Sequence, residues 1–270
     1  MSYFTIYKYS DKLYQIKDKL GSLIDLVIGE DKALVLDTGY GIGDLKKEIE
    51  AITNKPLIVL NSHGHMDHSC GNYQFEKVYI HEKDISLLKK HNSLKWRIRN
   101  VESAKNLNAL PDYFNYDSYV NQNEGNIGLI NYNDIIDLGG ITCEVINMEG
   151  HTQGSIGLFI KEQKLLIASD ASCPFVWLFL EESTPLQKYK DMLEKVLELD
   201  FDNFLVGHGP RLFPKYKMQE FLNVAKKMTL EKSVKVNFNN FDDLNSYCFT
   251  EGEMYNQDHC GIVFDPNKLY

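Results

Sequence analysis

The stretch Asn61-Ser62-His63-Gly64-His65-Met66-Asp67-His68 decides the reading of this chain. It places four side chains able to bind a metal ion within six residues, directly after the apolar run Leu57-Ile58-Val59-Leu60. Imidazole and carboxylate are common ligands of zinc and related divalent ions. Residues two apart on an extended backbone point the same way, so His63 and His65 can share one ion. Asp67 and His68 are adjacent and point apart, which lets the same loop serve a second ion. Gly64 allows a tight turn between the ligands.

Outward from this loop, Leu57–Leu60 and Ala33–Leu36 read as continuously apolar strands covered on both faces. Phe4–Tyr9, Leu13–Lys17 and Leu23–Ile28 are short, β-rich segments separated by charged or glycine-containing turns. Ile42, Leu45, Ile49 and Ile52 recur at helical spacing, and Pro56 ends that helix. Val78–Ile80 continues the sheet and Ile85–Lys90 starts a helix. From His91 to about Asn126 the periodicity fades, which predicts a helical insertion lying over the protein rather than within its core.

A second β-rich stretch follows at Ile135–Asp137, Ile141–Ile146, Ser155–Ile160 and Lys164–Ala168. Thr184-Pro185-Leu186-Gln187 predicts a helix start with Thr184 as N-cap and Gln187 closing a capping box. Phe204–Val206 is a short strand, and Phe221, Val224, Ala225 and Met228 mark a later helix. The order predicts one domain over residues 1–270 built from two similar fused halves. It has the insertion at about 91–126 and a C-terminal extension at about 211–270.

Three further candidate ligands recur in equivalent places. His151 stands in Gly150-His151-Thr152-Gln153-Gly154-Ser155, just after the strand Ile141–Ile146. Asp170 ends Leu166-Ile167-Ala168-Ser169-Asp170, and His208 follows Phe204-Leu205-Val206-Gly207. Each sits at or beyond the C-terminal end of a strand, where one rim of a sheet can gather them.

Taken together, His-x-His-x-Asp-His, Gly-His-Thr-x-Gly-Ser, an Asp after a strand and Gly-His-Gly resemble the metallo-β-lactamase-fold superfamily, over about residues 20 to 210. The likeness is greater to the glyoxalase II and lactonase branches than to true β-lactamases, which usually have Cys where Asp170 stands. It implies an α/β fold, a four-layer αββα sandwich of two fused ββα halves with the metals at one edge. It implies that His63, His65 and His151 hold one ion, that Asp67, His68 and His208 hold the other, and that Asp170 bridges both. Leu36-Asp37-Thr38-Gly39 resembles the family's early Asp-Thr-Gly turn, whose Asp supports the ligands without binding the ions. Ser62 replaces the usual Thr and keeps its hydroxyl.

The expectation is a hydrolase with two divalent ions, zinc first and iron or manganese as alternatives. A metal-bridging hydroxide would attack a small ester, thioester or lactone, with Asp67 orienting it and passing a proton to the leaving group. A phosphodiester is the second substrate class, and an iron-dependent sulfur dioxygenase is the rival from another reaction class. No ligand position is lost, which argues against a non-catalytic binding module.

The net charge of -9 argues against nucleic-acid partners, which need clustered Lys and Arg. No run of 18 apolar residues predicts a membrane span, and the N-terminus has no apolar signal segment. Cys70, Cys143, Cys173, Cys248 and Cys260 lack CxxC spacing and fit free thiols in the cytoplasm. A small molecule is the expected partner, and a homo-oligomer is left open. Cys70 and Cys173 are expected as packed thiols and His81 as a surface imidazole. Phe175, Trp177, Phe179 and Tyr113 read first as core aromatics, and His91 and His259 carry no family motif.

Overall fold

The computed structural model describes residues 2–238 and 244–269. The chain divides into two compact units, Met1–Val145 with Gly207–Pro210, and Ile146–Val206 with Arg211–Tyr270.

The first unit begins with four strands joined by tight turns, β1 (Thr5–Ser10), β2 (Leu13–Lys17), β3 (Leu23–Ile28) and β4 (Ala33–Leu36). Short connections force antiparallel neighbours, and β1 to β4 pair in that way. Helix α1 (Leu45–Glu50) then returns the chain so that β5 (Leu57–Leu60) lies parallel to β4. After α2 (Met66–Ser69) comes β6 (Val78–Ile80). Helices α3 (Ile85–His91), α4 (Leu94–Asn106) and α5 (Tyr116–Val120) precede β7 (Ile127–Leu129). The result is a seven-stranded sheet in sequence order, parallel from β4 onward. A hairpin of β8 (Ile135–Asp137) and β9 (Thr142–Asn147) then takes the chain into the second unit.

The core of the first unit lies between one sheet face and α1, α4 and α5. Ile16, Ile24, Leu26, Val35, Val59 and Val78 meet Leu45, Ile49, Val101, Ala104 and Val120 there. Burying each large aliphatic side chain contributes about 1.5–3 kcal/mol. Residues expected to lie outside the core are therefore part of it: α4 buries Arg97, Asn100, Val101 and Ala104 on one face.

In the second unit β10 (Ile156–Ile160) and β11 (Leu165–Ser169) form an antiparallel pair. β12 (Phe175–Leu178) and α6 (Leu186–Leu197) lead to β13 (Asn203–Val206), which lies parallel to β11. β14 (Phe213–Pro214) pairs with β13 and runs into α7 (Lys215–Lys227). β15 (Val234–Val236), β16 (Ser246–Glu251) and β17 (Cys260–Phe264) form a further sheet with β12, in the order β12-β17-β16-β15. Leu186, Tyr189, Leu193 and Val196 of α6 share a core with Phe221 of α7, Leu166 and Phe204. The expected capping box is absent. Helix α6 begins at Leu186 with Pro185 at its N-cap and no side-chain cap. The Thr184 amide is instead donated to the Gly150 carbonyl at 2.9 Å.

No helix among the described residues is long and apolar enough to cross a membrane.

Candidate metal centre

β4 and β5 are parallel neighbours, so their C-terminal ends open on one edge of the sheet, where ligand-bearing loops of such sheets gather. Asp37 leaves β4 with φ 72°, a left-handed conformation that Asp tolerates better than most residues. Its amide is tied to the Leu60 carbonyl at 2.7 Å, which sets the carboxylate beside the loop that follows β5.

That carboxylate organises the loop. Asp37 Oδ1 accepts the Ser62 amide at 2.7 Å, and Oδ2 accepts the Ser62 hydroxyl at 2.7 Å. Oδ2 also lies 2.8 Å from His68 Nδ1. A carboxylate only accepts, so His68 carries a proton on Nδ1 and presents Nε2 on its other side. The Ser62 hydroxyl spends its one proton on Asp37, so at 2.9 Å from His63 Nδ1 it accepts. His63 is thereby set in the same tautomer, with Nε2 only 3.0 Å from His65 Nδ1. Two imidazole nitrogens that close fit ligands of one ion.

The His68 backbone is fixed as firmly. Its carbonyl accepts the Thr38 amide at 2.8 Å and the Asn61 side-chain amide at 2.8 Å. Asn61 is held in turn by Asn72 at 2.7 Å. The buried Asp84 carboxylate accepts the Gly64 amide at 2.9 Å. A Cβ on Gly64 would stand 2.7 Å from the Leu88 nitrogen and 2.9 Å from the Asp84 carbonyl oxygen. Both are backbone atoms and cannot turn aside. Gly64→Ala is expected to lower the unfolding free energy by about 1–3 kcal/mol, read by denaturant titration.

His208 belongs to the first unit, where Ser22 bridges to it and Leu23 donates its amide to Gly207 at 3.0 Å. Its Nδ1 lies 3.3 Å from the Gly21 carbonyl, which can only accept, so Nδ1 donates and Nε2 is the nitrogen left for a metal. Asp18 fixes that turn by accepting the amides of Leu20, Gly21 and Ser22 on one oxygen. Asp67 Oδ2 stands 3.4 Å from His68 Nε2 and 3.2 Å from His208 Nε2. Burial alone would raise the Asp67 carboxyl, but the charge that His68 and His208 carry where no metal takes their Nε2 outweighs it and holds it well below the usual carboxylate range. Five of the seven candidate ligands thus converge in the first unit.

The other two stand together in the second unit. His151 Nδ1 lies 2.8 Å from the Trp177 carbonyl and must donate to it, which leaves Nε2 3.9 Å from Asp170 Oδ2. Asp170 follows Ser169, whose φ of 47° is left-handed, a strain of about 1–2 kcal/mol that fixes where the carboxylate leaves the strand.

Neighbouring residues depart from the sequence reading in part. His81 is buried rather than on the surface, stacked on Tyr132 with ring centroids 4.0 Å apart. His91 is buried against His65, ring centroids 5.0 Å apart, and its Nδ1 accepts the Met66 amide. Cys70 is fully buried near Asn100 and the His91 carbonyl, and burial pushes its thiol up to about 11, so it stays protonated at neutral pH. Burial, with the Asp170 charge, likewise pushes the Cys173 thiol well up. The Trp177 and Gly21 carbonyls that orient His151 and His208 had no signature in the sequence.

The donor set fits divalent metal. Four imidazoles each have Nδ1 occupied by a carboxylate, hydroxyl or carbonyl, which leaves Nε2 as the nitrogen for a metal, the way metal-binding histidines are held.

Known proteins resemble this chain in sequence and fold. Human Acyl-coenzyme A thioesterase MBLAC2 is 27% identical over 157 residues, covering 54% of this chain and 56% of that protein. The match thus spans little more than half of the human relative. Hydroxyacylglutathione hydrolase GloC of Haemophilus influenzae is 25% identical over 187 residues, 67% of this chain and 81% of its own. A metallo-beta-lactamase from Pontibacter korlensis superposes with a TM-score of 0.55 at 17% identity, over 83% of this chain and 100% of the other. The model of the metallo-beta-lactamase superfamily matches residues 21–208, a span that takes in all seven candidate ligands. By that match and by its fold, this chain belongs to the metallo-beta-lactamase superfamily.

Proposed function

We propose that this chain is a metal-dependent hydrolase with a dinuclear site, acting on a small thioester, ester or lactone. The carrying observation is the common orientation of His63, His68, His151 and His208, each with Nδ1 engaged by a partner so that Nε2 is the nitrogen offered to a metal. A protein that used these rings only for packing would have no need to set all four alike.

In this reading His63, His65 and His151 hold one ion, and Asp67, His68 and His208 hold the other. Asp170 serves both. That assignment rests on the family's motif order, and zinc is our first choice of metal. Divalent ions in such a site supply an acidified water and polarise the scissile carbonyl. The chain's own residues do the rest. Asp37 and Ser62 keep the imidazoles aligned, and the ionised Asp67 orients the attacking water and accepts its proton for the leaving group.

Thioesters stand first because one named relative is an acyl-coenzyme A thioesterase and another a hydroxyacylglutathione hydrolase. Five cysteines held outside any disulfide support a reducing, cytoplasmic setting. The zinc-loaded protein is expected to hydrolyse at least one of an acyl-coenzyme A, an acyl-glutathione and a lactone under nitrogen. Inactivity on all of them under nitrogen, with oxygen uptake on a persulfide by the iron form, would replace the hydrolase with a dioxygenase.

A further inference from the structure

Residues after 208 lie outside the family match, yet within the second unit they hold the segment on which His151 depends. His151 donates from Nδ1 to the Trp177 carbonyl in β12, at 2.8 Å. The loop after β12 then returns to the His151 loop twice. The Ser183 hydroxyl donates to the His151 carbonyl at 2.9 Å, and the Thr184 amide donates to the Gly150 carbonyl at 2.9 Å. The orientation of the imidazole is thus set by residues 177–184.

What holds residues 177–184 is the C-terminal extension. β12 pairs in parallel with β17, with Trp177 opposite Val263. Directly after β17, Asp265 caps the amide of Asn267 at 2.9 Å and closes a turn over Pro266–Lys268. That turn delivers the Lys268 ammonium to three backbone carbonyls of the loop, Leu180 at 2.5 Å, Glu181 at 2.8 Å and Ser183 at 3.0 Å. An ammonium has three N–H donors and each finds an acceptor. Ser183 is only 3% exposed, so water is poorly placed to take over its carbonyl.

We propose that Lys268 is a positioning residue for His151, acting through the loop 177–184. The proposal rests on the reading of His151 as a metal ligand. Loss of the ammonium frees the loop, and His151 then samples orientations in which Nε2 no longer faces Asp170. The group that supports His151 directly is the Trp177 carbonyl, and groups in that place tune metal affinity by about tenfold or more, which Lys268 would reach through the loop.

The test uses the full chain with Lys268→Met, which keeps the stem and removes the donors, beside Lys226→Met, which breaks only an exposed ion pair with Glu194. Amide hydrogen exchange is followed at Ser183 and Thr184, and zinc is titrated against a chromophoric chelator. In Lys268→Met we expect exchange at both amides to rise about tenfold, and one of two zinc ions to bind about tenfold more weakly while the other is unchanged. Lys226→Met should match the parent in both. Lys268→Arg keeps the charge but offers a planar fork, should fall between, and serves if the Met variant does not fold. Unchanged exchange in Lys268→Met overturns the clamp, whatever zinc does. Faster exchange with zinc affinity intact overturns the link to His151. A parent chain that takes up no zinc overturns instead the reading of His151 as a ligand.

Discussion

In Asp67→Asn, kcat on a thioester is expected to fall about 100-fold or more, and the protein to retain one zinc ion where the parent holds two. The carboxylate is shared between His68 Nε2 at 3.4 Å and His208 Nε2 at 3.2 Å, the two nitrogens these rings would offer to the same ion. An amide keeps the shape but removes the charge, and no longer accepts a proton. The pH dependence should change as well. Asp67 is held well below the usual carboxylate range. A lowered folded-state pKa adds stability above the unfolded value, which is lost as pH falls through the folded one. The parent should therefore lose stability on the acid side, and the Asn variant should lose less. Activity within threefold of the parent, with both ions retained, would remove Asp67 from the mechanism and from the ligand set.

The sheet of the first unit was legible because its sequence signals were local. Leu13–Lys17, Leu23–Ile28, Ala33–Leu36, Leu57–Leu60 and Val78–Ile80 are strands at the bounds their apolar runs and turns suggest. Helix α4 was misplaced outside the core because its buried stripe is half polar. Arg97, Asn100, Val101 and Ala104 follow helical spacing, but only two of them are apolar. Arg97 is wholly buried with the Asn92 side chain and the carbonyls of Cys70, Asn92 and Asn123 accepting from its Nε and Nη2, and hydrophobic periodicity has no means of foreseeing that. The C-terminal extension hid its structure differently. Cys260-Gly261-Ile262-Val263-Phe264 is as apolar as the strand before the ligand loop, yet its partner β12 lies more than eighty residues earlier.

The candidate ligands could be named from the sequence because His and Asp have few reasons to cluster after strands. What orients them could be read only in part. Asp37 was visible through its Asp-Thr-Gly turn, whereas the Ser62 hydroxyl relay depends on a geometry that a Ser in a loop does not announce. Backbone carbonyls such as those of Gly21 and Trp177 are common to every residue, so no sequence signal singles them out. The spacing thus names the candidate donors, and the fold decides which nitrogen each one offers.

Asp37 is where that decision is concentrated, and Asp37→Asn should be the most damaging change outside the ligand set. Metal affinity is expected to fall toward 100-fold, the upper end for groups supporting a ligand, because two histidines are affected at once. Three donors meet this carboxylate: the Ser62 amide, the Ser62 hydroxyl and His68 Nδ1. An asparagine offers one oxygen and one NH2 group, so either amide orientation sets N–H against N–H or O–H. With its NH2 toward the hydroxyl and imidazole, both relays break. His68 is then free to move its proton to Nε2, and Ser62 to donate to His63 and reverse its tautomer. Flipped, the amide opposes the Ser62 backbone and pulls the loop off β4. Asn is among the few residues that accept the φ of 72° at this position, so the backbone itself is not strained by the change. Asp37→Ala would add that strain and confuse the result. The measurement is a competitive zinc titration of the Asn variant beside its metal-free thermal midpoint. Zinc binding within twofold of the parent would show that the imidazoles keep their tautomers without Asp37. A large drop in the metal-free midpoint with affinity intact would make Asp37 a folding residue instead. A loss of affinity with a nearly unchanged midpoint would mean that this carboxylate acts by fixing which nitrogen of His68 and of His63 faces inward.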